Sequence, residues 1–153
     1  MAELLGRAPQ CDYEIVVRRA DGWPVVLRNE PLLHSGRPMP TRYWLVDRAL
    51  NREIGRLEST GAVDRAEAEV DRAALDAAHR AYAAERDAAI EDHHQGPVPS
   101  GGVGGTRIGV KCLHAHYAFF LAGGDDPVGR WVDERLRLIG RHFDPAVVAV
   151  SNS

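Results

Sequence analysis

Six consecutive residues, Lys111 to His116 (KCLHAH), hold the only lysine of the chain, one of its two cysteines and two of its seven histidines. An ammonium, a thiol and imidazoles are groups that bind anions, ligate metals and move protons. Just upstream, Gly101, Gly102, Gly104, Gly105 and Gly109 crowd into one short stretch. A glycine-rich run that feeds a helix presents free backbone N–H groups and the positive end of the helix dipole to an anion. The residues that would hold it are Gly101, Gly102, Gly105, Arg107 and Lys111. The string GGTRIGVK is not a Walker loop. Val110 separates Gly109 from Lys111, and Cys112 stands where a hydroxyl would meet magnesium. Nucleoside-triphosphate hydrolysis is therefore rejected.

The same segment supports two other chemistries. A helix running from about Val110 to Ala122 puts Cys112 and His116 four residues apart on one face. His114 then falls about 160° away at roughly 100° per residue. Cys112 and His116, joined by His79, would ligate zinc or iron, both of which accept thiolate and imidazole. Cys11 is a further candidate for that ligand set. Alternatively, a cysteine near a helix N-terminus beside lysine and histidine becomes a thiolate. Cys112 would then be a nucleophile with His116 as its base, which makes Cys112, His114 and His116 the catalytic candidates. Packing is the third alternative, because a cysteine on a buried helix commonly serves as a small hydrophobe. The residues leave all three open.

The elements that must position this segment follow from the pattern. YEIVVR (Tyr13–Arg18) and PVVLR (Pro24–Arg28), joined by Ala20-Asp21-Gly22-Trp23, predict a hairpin. Pro31, Gly36, Pro38 and Pro40 predict a loop. Thr41 reads as the N-cap of a helix to about Ser59, a second helix starts near Val63, and an alanine-rich third covers about Ala73 to Glu91. On the third, Leu75, His79, Tyr82, Arg86 and Ile90 recur at helical spacing, so one stripe mixes apolar bulk with an imidazole, a phenol and a guanidinium. His79, Tyr82 and Arg86 are thus further ligand-binding candidates, or core groups satisfied internally. Asp92 to Gly109 predicts a long loop of the kind that is functional or disordered. The helix after it is apolar on nearly all sides, hence buried. Gly123-Gly124 stops it, and Asp126-Pro127 starts a last helix to about His142. Asp144 to Ser153 is a tail whose AVVAV could add a strand. The expected fold class is α+β: an N-terminal β-hairpin or small antiparallel sheet packed on four to five helices, one of them central and buried.

At 153 residues the chain reads as a single domain, 1–153, large enough for a core. The net charge of −3 disfavours nucleic acid as a partner. No apolar run reaches membrane-spanning length and no basic-then-apolar leader opens the chain, so the expected location is cytoplasmic. Eighteen of the nineteen basic residues are arginine, as codon bias would produce. A buried ammonium can lose its proton and a guanidinium cannot, which would set Lys111 apart.

GWPVV (22–26), GRPMPTRYWL (36–45), RLESTG (56–61), AHRAYAAERD (78–87) and GVKCLHAHYAFFLAGGDDPVG (109–129) together resemble a bacterial family, domain of unknown function number 501, over about Arg18 to Val132. The resemblance implies a cytoplasmic bacterial protein encoded near a septum-formation initiator, enolase and an exopolyphosphatase. Many members carry cysteines where Arg19 and Asp47 stand here. The function expected is a polar pocket that binds or acts on an anionic small molecule. One alternative is a non-enzymatic partner of a cell-division protein. Another is a metal-binding protein using cysteine and histidine.

Overall fold

The computed structural model describes residues 9–144; the AVVAV tail lies outside the described residues. Strands β1 (Tyr13–Arg18) and β2 (Pro24–Asn29) form the expected hairpin, and β3 (Tyr43–Leu45) adds to the free edge of β2. Both pairings are antiparallel, with Ile15 opposite Leu27 and Leu27 opposite Trp44. Val25, Val26 and Leu27 are wholly buried.

β3 corrects the reading of Thr41 as a helix cap. Tyr-Trp-Leu is strong strand sequence and finds an unpaired edge beside it. The helix therefore starts later, at α1 (Arg48–Ser59), with the Asp47 carboxylate accepting the Leu50 N–H. Helices α2 (Ala62–Glu69) and α3 (Arg72–Ala88) follow, the latter capped by Asp71. The buried face of α3 holds Leu75, His79, Tyr82 and Arg86 of the expected stripe together with Ala78; Ile90 falls past the helix end.

After the loop and a single 3-10 turn (Val103–Gly105) comes α4 (Leu113–Leu121), then α5 (Pro127–Leu138). Helix α4 packs on β3, α5, α1 and the turn, and buries Leu113, His116, Tyr117, Ala118, Phe119 and Leu121. Full burial of its large apolar side chains contributes roughly 1.5–3 kcal/mol each. It begins three residues later than the expected Val110, because Cys112 is its N-cap with extended backbone (φ −147°, ψ 121°). That shift rearranges the chemistry of the segment. Helix α5 is capped by Asp126 as expected but ends before His142. Among the described residues, three strands and five α-helices make the fold α+β. No described helix is long and apolar enough to cross a membrane.

Candidate functional site

The glycine loop is held from below by His79. The Val103 N–H donates to His79 Nδ1 at 3.0 Å, and Nε2 meets the Gly109 carbonyl at 2.8 Å. An N–H donates only to a bare nitrogen and a carbonyl only accepts, so the imidazole is neutral with its proton on Nε2. Burial agrees, since it pulls the His79 pKa down. Both ring nitrogens are engaged, so His79 has no lone pair to offer a metal. Gly102 lies against this ring: a Cβ there would come within 2.6 Å of His79 Nδ1 and 2.9 Å of its Cα. Only glycine allows that approach.

The amides expected to face an anion are largely spent. Gly102 N–H donates to the Thr106 carbonyl and Gly105 N–H to the Gly102 carbonyl. At the start of α4, Leu113 N–H donates to Glu58 Oε2 at 2.9 Å, and Val110 N–H just before it donates to Glu67 Oε1 at 2.6 Å. The anion at this helix N-terminus is the chain's own carboxylate, which is where a negative charge is best placed.

The ligand candidates divide. His79, Arg86, Gly101, Gly102 and Arg107 all line one cavity of about 550 Å³ between α3 and the loop, with Arg80, Asp76 and Asp87. Arg86 is 1% exposed. Its Nη1 donates to the Pro40 carbonyl at 3.0 Å and its Nε to Asp87 at 3.0 Å. Gly105, Lys111 and Tyr82 are not part of this lining. Lys111 and Gly105 are exposed, so the burial that would set the lone lysine apart is not present. Tyr82 is buried, its hydroxyl accepting the backbone N–H of Arg42 and of Tyr43.

The later start of α4 also redistributes the thiol and imidazoles. Cys112 Sγ lies 3.8 Å from His114 Nδ1, the residue expected on the far side of the helix. His114 Nδ1 is 3.2 Å from Glu58 Oε1, and its Nε2 is 3.2 Å from the Asn51 carbonyl. Among the described residues, the donors that could close on one ion are those of Glu58, Cys112 and His114, all within 4.8 Å of one another. The expected set of Cys112, His116 and His79 does not form such a group. His116 is instead fully buried, with Nδ1 2.7 Å from Asp126 Oδ2. Cys11 is buried at 4% exposure, and burial pushes its thiol pKa up. Burial raises the Cys112 pKa too, but the His114 ring and the Ala115 N–H more than offset it and bring the thiol below its usual range. For His114, burial pulls down, while Cys112, Glu58 and the Asn51 carbonyl push the pKa up to about 9.

Glu58 and Asp126 carry no site signal in the sequence. Glu58 sits 55 residues before Leu113 on another helix, and Asp126 is legible only as a cap. Arg19 and Asp47, where the resemblance marks cysteines, form an ion pair with each other.

No curated protein and no solved structure matches the chain. A family described as Protein of unknown function (DUF501) does, over residues 15–134, so most of the sheet, the loop and all but the end of α5 lie within the match. With well over half of its length covered, the chain belongs to the DUF501 family.

Proposed function

We propose that this protein binds a small anionic molecule with an apolar part in the cavity between α3 and the glycine loop. One observation carries the reading: three arginines, Arg80, Arg86 and Arg107, meet two aspartates at the same cavity, leaving an excess of positive charge. Val98 and Ile108, 57% and 67% exposed, supply an apolar rim. Guanidinium groups grip carboxylate and phosphate through paired N–H bonds, which fixes orientation as well as charge. Val103 and Gly109, both bonded to His79, anchor the loop that forms one wall. Arg107 is exposed and lies outside the core, so its removal tests binding rather than folding.

Calorimetric titration with inorganic phosphate, citrate and a nucleoside monophosphate tests the reading. At least one is expected to bind, with Arg107→Ala weakening it about tenfold, as loss of one charge-assisted contact of about 1.4 kcal/mol implies. Absence of binding by all three in the unaltered chain sinks the proposal.

A non-enzymatic partner role is the second reading. It is supported by Leu138 and Ile139, 84% and 57% exposed at the end of α5. Affinity capture that recovers one stoichiometric protein, lost on Leu138→Glu, would favour it.

A further inference from the structure

The cluster at the start of α4 poses a protonation problem that points to a bound cation. The Asn51 carbonyl can only accept, so His114 Nε2 carries a proton. In a neutral ring Nδ1 is then a bare acceptor. It faces another acceptor, Glu58 Oε1, at 3.2 Å, and the Cys112 sulfur at 3.8 Å. Acceptors gather like this only around something positive, either a proton or a metal ion.

The spacing is compatible with the metal ion. An imidazolium N–H sharing its proton with a carboxylate sits about 2.7–2.9 Å from it, and the observed 3.2 Å is longer. Around a tetrahedral zinc ion, ordinary bond lengths place a ligating nitrogen about 3.4 Å from a ligating oxygen and about 3.6 Å from a ligating sulfur. The separations of 3.2 and 3.8 Å lie within a few tenths of an ångström of those edges.

Two of the donors are also held from behind. Glu58 leaves Oε1 free because Oε2 accepts the Leu113 N–H. The His114 ring is oriented by the Asn51 carbonyl. Such outer contacts are what orient metal ligands and select the ligating tautomer. The donors come from α1 and from the capped start of α4, two elements in direct contact.

We propose that Glu58 Oε1, Cys112 Sγ and His114 Nδ1 form a zinc site. One thiolate, one imidazole and one carboxylate are a donor set zinc accepts. Three protein ligands leave a fourth position. The His114 and Glu58 side chains are 27% and 26% exposed, so that position opens to solvent, as in centres that activate a water rather than in closed structural ones. The inference is independent of the anion reading, since none of the three residues lines the α3 cavity.

The test uses the full chain purified without chelator. Elemental mass spectrometry is expected to find close to one zinc per chain. After metal removal, cobalt(II) should produce a near-ultraviolet thiolate charge-transfer band and a visible spectrum of four-coordinate geometry. Cys112→Ser should remove the charge-transfer band. Cys112→Ser and His114→Gln should each weaken zinc binding more than about 100-fold, and Glu58→Gln at least about tenfold. Lys111→Ala, next in sequence but outside the donor set, should match the unaltered chain. Because the cobalt spectrum is read on the unaltered chain, a misfolded variant does not blur the outcome. No metal on purification, together with no cobalt band, overturns the proposal and makes the shared cation a proton.

Discussion

Asp126 joins α5 to α4 through His116: its Oδ2 accepts the His116 Nδ1–H at 2.7 Å, and neither side chain is exposed. The other oxygen, Oδ1, caps α5 by accepting the N–H groups of Val128 and Gly129. One carboxylate therefore closes a helix end and clamps the neighbouring helix. The two sequence stretches HAHY and GDDPVG are parts of one joint. His116 contributes to the position of α4, and so to that of His114 and Cys112 at its start, rather than serving as the base for the thiol.

Removing that carboxylate should cost more than an ordinary cap. Asp126→Ala leaves His116 buried without its partner and strips both cap bonds, a loss of about 3–5 kcal/mol by comparison with other broken buried pairs. Asp126→Asn retains an oxygen for the cap and should lose less. Urea unfolding measures both. Two variants within about 0.5 kcal/mol of the unaltered chain would mean that Asp126 is not the joint between α4 and α5.

Much of this arrangement was legible in the residues, and the failures have physical causes. The hairpin, the α3 stripe and the Asp126 cap were readable because each is a local pattern. Five of the cavity's lining residues are ones the sequence itself marks, since helical spacing and a glycine loop both report geometry directly. The residues place the start of α4 three positions early because Val110, Lys111 and Cys112 are all tolerable in a helix, and what stops them is tertiary: the Leu113 N–H finds Glu58 and the Val110 N–H finds Glu67. That small slip exchanged His114 for His116 as the partner of Cys112. Glu58 itself was unreachable, because nothing in RLESTG says which distant backbone it will meet.

The α4–α5 joint also requires a residue with no side chain. A Cβ on Gly129 would lie 2.3 Å from Phe120 Cβ and 2.6 Å from the His116 carbonyl oxygen, both on α4. Gly129→Ala should therefore destabilise by about 1–3 kcal/mol through overpacking. Gly55, inside α1, has nothing within 4 Å of its Cβ position. There Gly55→Ala should stabilise by about 0.4–1 kcal/mol by restricting the unfolded chain. Opposite signs for two glycine-to-alanine changes in helices, read from thermal or urea unfolding, are the expected result. A stabilising Gly129→Ala would show that the two helices sit farther apart.

The metal-free chain should show a pH signature of the Cys112–His114 pair. For His114, burial lowers the pKa, but Cys112, Glu58 and the Asn51 carbonyl raise it from 6.5 to about 9 in the folded chain. A raised folded pKa contributes stability that is complete below 6.5 and is lost as pH rises through about 9. Cys112 works the other way. Its folded pKa is lowered from 9.0, so its contribution is present above 9.0 and lost as pH falls through the lowered value. The two slopes oppose each other below pH 9, so the unaltered chain should change less in stability there than either group alone would produce. Cys112→Ser removes one of them. Its His114 keeps the upward pull of Glu58 and the Asn51 carbonyl but loses that of the thiolate, so its pKa should drop below about 9 and the pH profile should differ from that of the unaltered chain. Urea unfolding of both metal-free chains at several pH values between 6 and 9.5 reads the difference. Parallel profiles would show that the thiol and the imidazole do not share a charge.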